Sequence, residues 1–354
     1  SNYILYYLYI YMNILLLILL ILIMIFMFVF LVYTFIIKTG EGIPDVKWPF
    51  INLKDENNKN LNLLCIRGPI VEEKDKNFFQ ETLKNGIKYI GCCSYVTFPH
   101  QCLNPYGDCH DEMLLDGKRY EDYVIGWTHC FREPDKYIKK SIPKLLLSES
   151  DFSDNMDLKP DENNKIKYDF CVYCPVDDDC NSGWHYHNKG WDLCKKTIEY
   201  MCNHLNLKGI LIGRENCEIN LENENLLKKV GFLHYWDFVK EMDSSKFIII
   251  PSFEDASPRT LTEALTLNKP ILVNKHIIGG WKYVTTETGM FYDEESMNTV
   301  IPEFINNIDN NKYQPRKHFY DHYGIQKSGK KFKNFLKKIY PQLNDCNTVK
   351  FPVS

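Results

Sequence analysis

The sequence predicts an α/β protein built as two parallel-sheet domains facing a cleft and preceded by one transmembrane helix. Three observations predict it. Residues Tyr3 to Ile37 contain no Asp, Glu, Lys, Arg or His. Apolar β-rich runs alternate with helical segments through much of the remaining chain, as parallel sheets require. The stretch from Lys246 to Leu265 reads as a buried strand, a tight loop and a helix in direct succession.

The first element is the apolar run. A spanning helix needs about 20 residues, and this run exceeds that. The chain starts with Ser, and Met12 is a candidate initiator. Starting there leaves Asn13 to Ile37, roughly 37 Å of helix, enough to span with tilt. A cleaved signal peptide has an apolar core of about 7–15 residues followed by small residues, and neither condition holds here. Residues 1–37 are therefore expected to be a single-pass membrane anchor, and 38–60, polar with Gly, Pro and Asn, a stem. The net charge of −4 and the lack of a basic block argue against nucleic acid as a partner.

Residues 61–160 are expected to form the first domain. Leu61–Gly68, Ile87–Tyr95, Asp122–His129 and Pro143–Phe152 read as strands running into loops, with a helix over Asp75–Gly86 ended by Gly86. Residues 161–312 are expected to form the second, with strands at Lys167–Pro175, Lys208–Glu215 and Lys246–Ser252. Helices are expected from about His187 to Leu205 and after Ser257, the natural N-cap, with Pro258 at the first helical position. Residues 313–354 are read as C-terminal helices and a tail.

The chemistry concentrates at Pro251–Pro270. Asp255 and Glu263 flank a helix start whose free N–H groups at Arg259 and Thr260 suit a phosphate. Glu263 lies just over one turn into that helix, within reach of a ribose bound beside the phosphate. Glu263-Ala264, preceded by an acid and seven residues, resembles the C-terminal domain of retaining GT-B glycosyltransferases, in particular the family-4-like group, whose motif is Glu, seven residues, Glu-Ala. Asp255 replaces the first Glu, and Glu254 beside it leaves a shifted register open. Lys189-Gly190, Lys269–Asn274, Gly279–Val284 and Glu287–Asp293 continue the resemblance, which covers Lys167 to Asp293.

That resemblance implies a GT-B-like fold of two Rossmann-type domains and transfer of a sugar from a nucleotide diphosphate sugar to a glycan, lipid or protein hydroxyl. It also implies retention, no metal and no further cofactor. Lys189 would neutralise the diphosphate, Glu263 fix the ribose and Asp255 hold the donor sugar. The family's loop Arg is missing here, and Arg259, beside Thr260, is the candidate replacement. The alternative is a non-catalytic GT-B-like module that binds glycan or nucleotide. An oxidoreductase is disfavoured because no G-x-G-x-x-G follows a first strand.

On the acceptor side, Trp127–Arg132 follows a strand, so His129 is a candidate to orient or deprotonate a hydroxyl and Arg132 to hold a charged group. Glu149 and His100 are further candidates. Thirteen cysteines lie beyond the anchor. Cys171, Cys174, Cys180, His185 and His187, and the pair Cys109-His110, raise a zinc site, but Cys171 and Cys174 fall in a core strand and the default is buried thiols. Lys38 and Lys47 after the anchor, and no Asn-x-Ser/Thr acceptor, lean toward a cytosolic catalytic domain without deciding the side.

Overall fold

The computed structural model describes residues 2–39, 43, 45–94, 98–99, 114–177 and 179–352. Helix α1 spans Asn2–Thr39. Its stretch Tyr11–Leu31 has a mean hydropathy of 3.6 and is fully exposed, so by length and composition it is able to cross a membrane.

The first sheet contains β1 (Phe50–Asp55), β2 (Asn60–Ile66), β3 (Lys88–Cys92), β6 (Trp127–His129), β7 (Lys144–Leu146) and β14 (Val349–Lys350), in the order β14-β1-β2-β3-β6-β7. A small hairpin, β4 (Leu114–Leu115) and β5 (Lys118–Arg119), stands apart. β2, β3, β6 and β7 are parallel, whereas β1 runs antiparallel to β2 and β14. Helix α2 (Glu73–Lys84) makes the β2–β3 crossover and buries Phe79 against Tyr89.

Two expectations are corrected here. Residues 50–55, assigned to a polar stem, form β1, because Phe50, Ile51 and Leu53 bury in the two layers flanking the sheet. The strand expected at Pro143–Phe152 ends at Leu146, and Glu149–Met156 turns into a 3₁₀ segment, since Ser148 and Asp151 form a reciprocal capping box.

The second sheet is fully parallel: β8 (Tyr168–Tyr173), β9 (Gly209–Ile212), β10 (Leu227–Val230), β11 (Ser245–Ile250), β12 (Ile271–Asn274) and β13 (Gly289–Tyr292), ordered β10-β9-β8-β11-β12-β13. This is the doubly wound order, whose direction reverses between β8 and β11. The continuous apolar run Phe247–Ile250 is what burial on both faces demands. Helices α3 (Trp184–Asn188), α4 (Trp191–Leu205), α5 (Tyr235–Asp243), α6 (Arg259–Thr266) and α7 (Met297–Asp309) cover it. α8 (Pro315–His322) packs on α6, and α9 (Gly324–Ile339) returns to the first sheet, where Phe332 and Leu336 bury beside Leu53, Leu63 and Ile90.

Among the described residues, the cysteines are buried free thiols apart from one disulfide pair. Cys171 and Cys174 are buried free thiols, while Cys180 pairs with Cys217 in a disulfide that closes a 37-residue separation. Such a loop gives about 4 kcal/mol in the chain-entropy account. Cys180 is thereby removed as a metal ligand. No group of three metal-ligating side chains occurs among the described residues, and Cys109-His110 lies outside them.

The two halves meet through a buried network centred on Asp151, which is 1% exposed. Lys282 Nζ donates to its Oδ2 at 2.5 Å, Tyr283 Oη to its Oδ1 at 2.9 Å, and Ser148 N to its Oδ2 at 2.8 Å. Replacing one member strands the other in low dielectric. Asp151→Ala should therefore cost about 3–5 kcal/mol and lower the melting temperature by roughly 10 °C in a thermal unfolding scan. A change within a degree or two would show that the network carries no such load.

Candidate active site

The reversal between β8 and β11 opens a crevice at the carboxyl ends of both strands, the position where doubly wound sheets hold ligands. Each strand delivers one side of a cavity there. After β8 the chain forms the loop tied down by Cys180–Cys217, then α3, and reaches Lys189. After β11 it passes Ser252 and Asp255 into α6. The two loops are joined by backbone bonds: Phe253 N and Glu254 N both donate to Asn188 O, at 2.9 and 3.2 Å. Gly190 sits between them at φ 65°, and a Cβ there would fall 2.2 Å from Pro251 O, so only glycine fits.

A cavity of about 250 Å³ lies at this junction, lined by Tyr173, Lys189, Ser252, Asp255, Arg259 and Thr260, among others. The start of α6 faces it. Pro258 precedes the first helical residue and has no N–H of its own, so the first amides of the helix are those of Arg259 and Thr260. The expected N-cap, Ser257, instead turns its Oγ to Ser150, accepting from Ser150 N at 3.0 Å and bonding Ser150 Oγ at 2.8 Å. Lys189 Nζ lies 2.5 Å from Asp255 Oδ2. Burial pulls the ammonium's pKa down, but the neighbouring carboxylate outweighs it and the net direction is up.

A second cavity of about 210 Å³ adjoins the first and shares Tyr173, Arg259 and Thr260 with it. Its other walls are aromatic and apolar, Phe232, Leu233, Tyr235 and Phe238, with the carboxyl of Glu263 at the boundary. Glu263 is 4% exposed and accepts from Tyr235 Oη at 3.1 Å. Burial pushes its carboxyl up, while Arg259 and the Tyr235 hydroxyl pull it back. Phe232 is 79% exposed at the rim. The pair of cavities thus joins a cationic end at the start of α6 to an aromatic slot that holds a carboxylate.

The structure brings Lys189, Asp255, Arg259, Thr260 and Glu263 together. It does not bring His129 to them. His129 is 6% exposed inside the first half, and its Nδ1 has no hydrogen-bond partner among the described residues. Arg132 reaches across to the second half, where its guanidinium donates to Ile277 O at 3.0 Å and stacks 5.5 Å from the Trp281 and Phe291 rings, so it serves as a bridge between the halves. Glu149 sits at the carboxyl edge of the first sheet. Its Oε2 accepts from Ser94 Oγ at 3.1 Å, and its Oε1 lies 3.1 Å from Arg67 Nη1, an ion-pair distance without hydrogen-bond alignment. His100 lies outside the described residues. Sequence reading missed Arg67 and Tyr235; the strand-end position of Arg67, directly after Leu61–Ile66, was the available signal.

No protein-family model matches the chain, and no curated protein matches it. Among solved structures, S. aureus TarM aligns at a TM-score of 0.50 and 11% identity, over 76% of this chain and 52% of TarM. Anabaena Alr3699/HepE, solved in complex with UDP, aligns at 0.50 and 9% identity, over 75% of this chain and 77% of that one. The fold is GT-B. The chain spans about half the length of TarM, and at these identities the likeness is one of fold.

The burial of His129 generates a pH prediction. Desolvation first, then the charges of Lys282 and Lys144, push the imidazole down to about 4, so the fold holds it neutral. In the unfolded chain it protonates near 6.5. Its contribution is therefore complete above about pH 6.5 and is lost as the pH falls toward 4, by about 3 kcal/mol. Denaturant titrations from pH 7 to pH 4 should show that loss, and His129→Asn should flatten it. An equally steep slope in His129→Asn would assign the acid sensitivity elsewhere.

Proposed function

We propose that the chain is a glycosyltransferase that takes its sugar from a nucleotide diphosphate sugar and transfers it to a hydroxyl of a glycan, lipid or protein. One observation carries this: at the point where strand order reverses, a cavity bearing Lys189, Arg259 and the amino end of α6 adjoins an aromatic slot bounded by Glu263. The base would enter the slot between Phe232, Tyr235 and Phe238. Glu263 would take the ribose hydroxyls, and the diphosphate would meet α6, Arg259 and Lys189.

Chemistry follows from where charge develops. Breaking the bond between the anomeric carbon and the β-phosphate oxygen leaves negative charge on the departing diphosphate, which Arg259, Lys189 and the amino end of α6 would stabilise. Retention and independence from metal belong to this reading through the family resemblance. Glu149 with Arg67, at the carboxyl edge of the first sheet, is the polar group we assign to the acceptor side. Asp255 plays two parts: counter-ion to Lys189 before the donor arrives, and partner of the donor sugar afterwards.

We further infer a single-pass membrane protein held by α1. The side of the membrane draws on opposed features. Lys38 and Lys47 favour the cytosol, whereas the Cys180–Cys217 disulfide favours an oxidising compartment. The two features point to opposite sides of the membrane, and the donor site is the same on either.

Two substitutions test the donor reading. Glu263→Ala removes a charge-assisted acceptor and should weaken UDP or another matching nucleoside diphosphate by roughly ten- to a hundred-fold in calorimetric titrations. Unchanged affinity in the folded variant would remove the central support. Asp255→Asn should do the opposite: with its counter-ion neutralised, Lys189 is free to meet phosphate, and the same nucleotide should bind roughly ten-fold more tightly. Sugar transfer by Asp255→Asn should nevertheless slow, since the carboxylate partner of the donor sugar is gone. Weaker nucleotide binding by Asp255→Asn would show that the ion pair supports the phosphate site instead of competing with it.

A further inference from the structure

We propose that the exposed face of α9, together with the start of β7, is a docking surface for the phosphate headgroups of an anionic bilayer. Within α9 lie six lysines, Lys327, Lys330, Lys331, Lys333, Lys337 and Lys338, and no acidic residue, in a chain whose net charge is −4. The helix is divided. Phe332 and Leu336 are fully buried on the first sheet, while Lys327, Lys330, Lys331 and Lys338 are exposed. No ion pair joins any of the six to an acidic side chain among the described residues. Lys331 and Lys337 instead donate to the backbone carbonyls of Leu146 and Leu343, at 3.1 and 2.6 Å.

An open cavity of about 710 Å³ lies between the helix and β7, lined by Lys144, Lys331, Lys333, Lys337, Lys338 and Phe335. Lys144 alone has an acidic neighbour, Asp135 at 3.1 Å. The positive field of this cluster extends inward, because Lys144 and Lys331 both disfavour the charged form of buried His129. The cavity is also remote from the crevice. Lys144 begins β7 and Gly126, just ahead of β6, packs against Phe335 and Ile339, while Lys331 reaches Leu146 at the far end of β7, so the surface runs along the outer strand of the first sheet. None of its lining residues lines either donor cavity.

Lysine ammoniums on flexible stems act as mobile point charges that meet many phosphates without a fixed geometry, which suits a headgroup layer better than one shaped ligand. Each lysine held near an anionic leaflet strengthens attachment about five-fold. The same chain carries a helix, Tyr11–Leu31, able to cross a bilayer, and the proposal rests on the reading that this helix stays in the membrane. Anchor and basic face would then hold the body against the surface at two points, and the second would weaken as salt shortens the screening length.

The test uses the full chain in vesicles of phosphatidylcholine alone or with phosphatidylglycerol added, with amine acetylation followed residue by residue by mass spectrometry. Lys331, Lys337 and Lys338 should label about five-fold or more slowly in the anionic vesicles, with Lys165 and Lys312 on the second half labelling equally in both. High salt should restore labelling. Lys331→Glu with Lys338→Glu, both exposed and so compatible with folding, should abolish the protection of Lys330 and Lys333. Equal labelling in the two vesicles overturns the proposal. Protection by soluble polyphosphate but by neither vesicle assigns the surface to a soluble polyanion and overturns it as well. A chain that washes off neutral vesicles removes the anchor, a separate failure that takes the proposal with it.

Discussion

The arrangement of the candidate site depends on Asp151. A carboxylate that is 1% exposed has to be compensated at every lone pair, and its donors come from both halves: Ser148 from the first sheet's own loop, Lys282 and Tyr283 from the segment after β12. The 3₁₀ segment that begins beside it is thereby wedged against α6. Ser150 bonds Ser257 at 2.8 Å and Ser153 bonds Thr262 at 2.6 Å, so the first half holds both the approach to α6 and its first turn. Around this weld, Trp281 Nε1 donates to Cys130 O at 2.7 Å and Arg132 to Ile277 O at 3.0 Å. A helix N-terminus binds an anion usefully only if it is held in place before the ligand arrives. The buried ion pair provides that constraint.

The other constraint is that the cationic cavity has to exist before any anion fills it. Lys189 is the group at risk, since burial penalises its ammonium, and Asp255 at 2.5 Å keeps it charged. Such a pair stabilises little in net terms, because both charges are desolvated. Its value is in keeping a charged ammonium at the crevice, as the proposed function requires. Glu263 shows the converse logic. Its burial raises the carboxyl's pKa, and Arg259 with the Tyr235 hydroxyl offsets that, leaving an acceptor between a cationic end and an aromatic one.

The second half was the more legible in sequence. Buried parallel strands appear as uninterrupted apolar runs, so Lys246–Ile250 and Gly209–Ile212 were visible directly; Asp255, Arg259 and Glu263 follow from the strand, loop and helix that hold them, and Lys189 from the family resemblance. Ser257 was misread because N-cap preference is local, whereas its hydroxyl is taken by Ser150 across more than a hundred residues. The first half was harder for a related reason. Its strands β6 and β7 have three residues each, too short for any period to register, and β1 is assigned by burial beneath helices that lie far away in sequence. His129 is the same case: a strand-end histidine reads as cleft-facing, and only the packing around it shows that it points inward.

The way the first sheet is finished explains why a short first half suffices. The first sheet draws only residues 50–146 from ahead of the second sheet, yet the chain returns after it to add β14 beside β1 and to lay α9 over the sheet's face. Val349 pairs with Asp55 and Lys350 with Lys54, covering an edge that would otherwise present unpaired backbone. Glu56 locks the return by accepting from the backbone N–H of Asn347 and Thr348, at 2.9 and 3.1 Å. Asn62 does the same one strand over, donating to Gln342 O at 3.0 Å and accepting from Asn344 N at 3.1 Å. The first half is therefore not a small domain standing alone. It is a sheet assembled from segments on both sides of the second half, and its edge and face are complete only with residues 324–350.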